Sequence, residues 1–73
     1  MMDENIIGRN IRQLRKSRGM TLEQLAEKVG STKSTISRYE VGAYEPSFKM
    51  IRKISEVFDI CPARIYGFNC RGV

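Results

Sequence analysis

The chain has 73 residues, with 13 basic against 8 acidic side chains, no histidine and a formal net charge of +5. That length makes one domain and no more. No apolar run approaches the ~20 residues of a membrane span and no stretch has the layout of a signal peptide, so the chain reads as cytosolic. The excess positive charge has two readings, attraction to a polyanion or plain solubility, and charge alone does not choose between them.

A chain this short buries only about 60% of its unfolded surface, so its stability margin is thin. Small domains are often held by disulfides, a metal or a partner subunit. Two cysteines, Cys61 and Cys70, form no dense framework, and a disulfide is not expected; thiols, buried or merely exposed, are. Two thiols without histidine cannot fill a tetrahedral zinc site, so neither a metal nor a cofactor is expected. What remains is good helix packing, with dimerisation as a possible aid.

Five short helices and no strands follow from periodicity and punctuation. In "NIIGRNIRQLRKSRG", Ile7, Ile11 and Leu14 fall at i, i+4, i+7, with Arg9, Arg12 and Lys16 on the opposite face and Gly19 as terminator. "TLEQLAEKVG" opens with Thr21 and carries Gln24 three residues on, which predicts a capping box. Leu22, Leu25, Ala26 and Val29 form its buried stripe. Gly30 can take the left-handed conformation that turns the chain sharply. "GSTKSTISRYEVG" is a third helix, capped by Thr32 and closed by Gly42, with Ile36 and Tyr39 inward. In "PSFKMIRKISEVFDI", Pro46 stops any earlier helix and Ser47 caps the new one. Phe48, Ile51, Ile54 and Phe58 should face inward, with Asp59 as a left-handed terminator. A fifth, short helix starts with Cys61 at its cap and Pro62 in its first turn. The domain is expected to span residues 1–68, with 69–73 as a tail.

Two helices joined by a tight turn at Gly30 make a helix-turn-helix unit. Here the sequence closely resembles the phage repressor and Cro-type (Cro/C1-type, XRE-type) helix-turn-helix family. The resemblance rests on "LRKSRGMTLEQLAEKVGSTKSTISRYEVG" followed by "EPSFKMIRKISEVFDI". The joint spacing of Leu14-Arg15, Thr21, Leu25-Ala26, Gly30, Ile36, Glu40, Gly42 and Pro46 makes the match specific. It implies an all-α, five-helix lambda-repressor-like DNA-binding domain, with the helix-turn-helix at the second and third helices.

In such proteins the third helix enters the major groove. Carried over residue by residue, the base-reading positions are Lys33, Ser34, Ser37 and Arg38. The helix period agrees independently, since i, i+1, i+4 and i+5 share one face and Ile36 and Tyr39 turn away. Lys33 and Arg38 can donate to guanine O6 and N7. The alternative is that these four are the solvated face of an ordinary surface helix. Many relatives have Gln where this chain has Lys33, and Gln prefers adenine, so the operator should differ there.

The resemblance also implies backbone contacts from Arg12 and Arg15, while Arg9, Lys16 and Arg18 supply general field and solubility. Thr21, Thr32 and Thr35 can reach phosphates through hydroxyls or helix N-terminal N–H groups, although Thr21 and Thr32 also serve as caps. Leu22 replaces a Gln that often braces the recognition helix in relatives. The loop offers Ala43, Tyr44 and Glu45 where relatives often carry basic residues. The Tyr44 hydroxyl can donate to a phosphate, while Glu45 should repel one. Arg15 and Glu40 match a structural ion pair of the family.

The function implied is a sequence-specific regulator of double-stranded DNA, a repressor or small controller protein working as a homodimer on an operator. Tyr66 and Phe68 are expected to supply the dimer patch, with Ile65 either shared with it or in the core; the alternative is that all three cap one monomeric core. An alternative in another class is a protein-interaction module, antitoxin-like or a regulator's docking partner, with weak or no DNA binding. Leu22 and the missing loop bases favour it. An enzyme is not expected, because Glu40 has no second acid, histidine or nucleophile beside it.

Overall fold

The three central helices each start where a side chain satisfies an orphaned N–H and stop where the backbone turns left-handed. The computed structural model describes residues 5–67. It contains α1 (Ile6–Ser17), α2 (Leu22–Val29), α3 (Lys33–Val41), α4 (Phe48–Phe58) and α5 (Pro62–Ile65), with no strand among the described residues. The capping box of α2 is complete: Thr21 Oγ1 accepts from the Gln24 N–H at 3.1 Å, and Gln24 Oε1 accepts from the Thr21 N–H at 2.8 Å. Thr32 and Ser47 cap α3 and α4 by accepting from the N–H groups of Thr35 and Met50. At the far ends, Gly30 (φ 73°), Gly42 (φ 83°) and Asp59 (φ 55°) are left-handed. The Gly30 turn lets the Ser31 N–H close back on the Ala26 carbonyl at 2.8 Å. Only three residues then separate α2 from α3, which sets the two helices at a sharp angle.

The core is built from Ile11, Leu25, Ala26, Val29, Ile36, Ile51, Ile54, Phe58 and Ile65. α3 lies against both α1 and α2, while α5 bridges α1 and α4. The α1–α3 crossing depends on Gly8. A Cβ there would run into the Tyr39 carbonyl oxygen and stand 2.8 Å from that of Glu40. Two asparagines tie α1 to its neighbours. Asn5 Nδ2 donates to the Glu40 carbonyl at 3.0 Å and Asn10 Nδ2 to the Ile65 carbonyl at 3.0 Å. Both carbonyls belong to last turns, where a helix lacks its own donors.

Three expectations need correction. Phe48 is 61% exposed instead of inward. It lies near the angle of the apolar stripe, but it is the first residue of α4 and sits one turn ahead of Ile51, where no other helix covers it. Ile65 is fully buried in the core and is not available to a second subunit. Half-buried Tyr66 packs against the core, and Phe68 lies outside the described residues. Finally, Cys61 is disulfide-bonded, not a thiol; the other cysteine, Cys70, is outside the described residues.

Candidate nucleic-acid interface

α3 is buried along one side and open along the other. Ile36 and Glu40 are buried and Tyr39 is half-buried, whereas Lys33, Ser34 and Arg38 are exposed and Ser37 is half-buried. The structure therefore places the four sequence-derived positions together on the outer face, and no carboxylate belongs to that set. A helix with its side chains is about 10–12 Å across, and the DNA major groove is about 12 Å wide, so such a face can enter it.

The charged ends of that face have partners. Lys33 Nζ lies 3.5 Å from Glu23 Oε1, with both side chains more than 60% exposed. Such a pair is weak and easily exchanged for another anion. The Arg38 guanidinium carbon lies 5.2 Å from the centre of the Tyr44 ring, in cation–π range.

The flanking groups are arranged differently from one another. Thr21 and Thr32 are exposed at the N-termini of α2 and α3, with their oxygens engaged as caps. The Thr35 hydroxyl is 2.9 Å from that of Thr32. Arg12 is exposed on the outer side of α1, along a shallow trough it shares with Arg9, Asn10, Gln13 and Lys16.

Arg15 is placed quite otherwise. Its Nε donates to Glu40 Oε2 at 2.7 Å, Nη2 to Glu40 Oε1 at 3.1 Å, and Nη1 to the Met20 carbonyl at 2.7 Å. The two side chains retain 12% and 6% of their exposure. The fork-on-carboxylate geometry gives two parallel charge-assisted bonds. All three guanidinium nitrogens face protein, so Arg15 has little left to offer a phosphate. Arg18, assigned above to general field, also has a specific place. Its Nη2 donates to the Phe58 carbonyl at 2.8 Å and its guanidinium stands 5.9 Å from the Phe58 ring. It thus closes the last turn of α4.

Sequence reading missed Asn5, Gly8, Asn10 and Arg18. Only Gly8 left a signal, as a glycine inside a helical pattern, which usually marks a close approach. The other three bond to distant carbonyls, and sequence spacing carries no trace of that.

Among the described residues no group of three His, Cys, Asp or Glu could hold a metal, and no helix is long and apolar enough to cross a membrane. Five helices, a tight α2–α3 turn and a polar, positively ended outer face on α3 define a helix-turn-helix DNA-binding domain. A helix-turn-helix family model, HTH_3, matches residues 11–65. The chain belongs to that family, of the XRE or Cro/C1 type, whose members are non-enzymatic DNA-binding transcriptional regulators. An uncharacterized HTH-type transcriptional regulator of Archaeoglobus fulgidus is 47% identical over 49 residues, 67% of this chain and 70% of that one. The regulator SinR of Bacillus subtilis is 41% identical over 56 residues, 75% of this chain. This chain spans about half of SinR's length (50%). Among solved structures, the restriction-modification controller protein C.AhdI from Aeromonas hydrophila aligns with a TM-score of 0.80 at 30% identity, over 86% of this chain and 91% of that one. SinR in complex with DNA aligns with a TM-score of 0.77 at 38% identity, over 82% and 97%.

Proposed function

We propose that this protein is a cytoplasmic, homodimeric repressor or small controller protein that reads a DNA operator through the outer face of α3. The observation that carries the reading is that Lys33, Ser34, Ser37 and Arg38 stand together on that face while Ile36 and Glu40 anchor the opposite one. Arg12, Thr21, Thr32, Thr35 and the Tyr44 hydroxyl supply backbone contacts, which fix register without reading sequence. Arg15 acts through the fold instead. One recognition helix reads only a few base pairs, and two-fold symmetry doubles the site. With Ile65 committed to the core, half-buried Tyr66 and Phe68, the latter outside the described residues, are left as the proposed dimer patch. Kinship with C.AhdI and SinR supports a small controller or repressor.

Two outcomes test this. Footprinting on a site recovered from a random duplex pool should show two half-sites about one helical turn apart, roughly 34 Å. A single asymmetric site would exclude the dimer. Separately, Lys33→Ala and Arg38→Ala should each cost ~1–3 kcal/mol on the best site and much less on random DNA. Arg12→Ala should weaken both alike and reduce the salt slope by about one. If all three variants lose specific and random binding equally, α3 presents only a positive surface.

A further inference from the structure

We propose that Tyr44 is a positioning residue that holds Arg38 ready for base contact, so that the ring outside α3 tunes what α3 reads. The inference rests on Arg38 being a base reader. α3 ends at Val41, and left-handed Gly42 turns the chain back on itself. The N–H groups of Ala43 and Tyr44 both donate to the Arg38 carbonyl, at 2.9 and 3.3 Å. The backbone of Tyr44 is thereby docked on the residue whose side chain its ring meets at 5.2 Å. Two independent contacts, one main-chain and one aromatic, join the same two residues.

Tyr44 is 54% exposed and makes no part of the core cluster, so its placement is not explained by burial. Arginine is among the side chains richest in rotamer entropy, much of which is lost when it docks on a base. A ring that narrows the guanidinium's excursions before docking reduces that loss. It leaves the planar edge, with its N–H donors, free to face O6 and N7 of a guanine. The role belongs to the π face and is separate from any phosphate contact by the hydroxyl.

The experiment measures binding of Tyr44→Phe, Tyr44→Leu, Arg38→Ala and the Tyr44→Leu/Arg38→Ala double variant. The ligands are a selected duplex, the same duplex changed at the base pair that Arg38→Ala identifies, and a random duplex. The readout is discrimination, the ratio of affinities, which a phosphate contact leaves unmoved. Tyr44→Phe should retain discrimination at that base pair, and Tyr44→Leu should lose about two- to five-fold, the size of an exposed cation–π contact. In the Arg38→Ala background Tyr44→Leu should cost no further discrimination. Equal losses for Phe and Leu would overturn the proposal, as would an undiminished loss without Arg38. If Arg38→Ala itself leaves discrimination intact, the base-reading role falls first and the Tyr44 role with it.

Discussion

Glu40→Ala should lower the melting temperature by roughly 12–24 °C, the equivalent of about 3 kcal/mol in a domain of this size. Glu40 is 8% exposed, and its carboxylate takes two guanidinium bonds from Arg15. Its removal strands a cation that is 12% exposed and still held to the Met20 carbonyl. The loss therefore measures an uncompensated buried charge more than the worth of the pair itself. A double variant separates the two. Arg15→Met/Glu40→Leu should recover most of the stability, since replacing both charges with apolar groups of similar volume is often neutral. Thermal unfolding by circular dichroism decides it. An unchanged melting temperature for Glu40→Ala would mean that Arg15 swings into solvent at no cost. Arg15→Ala should lose stability and keep the salt slope of DNA binding, which distinguishes it from Arg12→Ala.

Gly8→Ala should also destabilise, by ~1–3 kcal/mol or somewhat more, although at an ordinary helix interior position the same change gains about 1 kcal/mol. The sign of the effect is the test. Gly8 is buried in α1, and the added methyl would meet the carbonyl oxygens of Tyr39 and Glu40 and the side chain of Asn5. Backbone atoms cannot rotate away as side-chain tips can, so α1 and α3 must separate. That separation also strains the bond from Asn5 to the Glu40 carbonyl. Because α3 carries the proposed reading face, DNA discrimination should weaken with stability. Chemical denaturation read by circular dichroism measures the sign, and a more stable Gly8→Ala protein would show that the two helices have room to spare.

The local architecture was legible from the sequence because local chemistry builds it. Thr21 with Gln24, Thr32, Ser47, Gly30, Gly42 and Asp59 act on backbone groups within a few residues of themselves, and all of them occupy the caps and turns expected of them. The outer face of α3 was legible for the same reason, since helical period alone places Lys33, Ser34, Ser37 and Arg38 together. Pairing of Arg15 with Glu40 came from family resemblance, and its geometry is present in the fold.

Only tertiary structure decided the rest, because it concerns groups far apart in the chain. Periodicity gives an angle around a helix but not whether a neighbour stands at that height, so Phe48 is exposed and Ile65 is fully enclosed. Arg15 and Arg12 look alike in sequence, yet one is spent inside the protein and the other faces outward. Arg18 and Asn10 take their roles from carbonyls on α4 and α5. Tyr44 acquires its ring contact only because Gly42 folds the loop back over Arg38. Local chemistry along the chain sets which helices form and which residues line the outer side of α3; packing sets which charges hold the fold and which face outward.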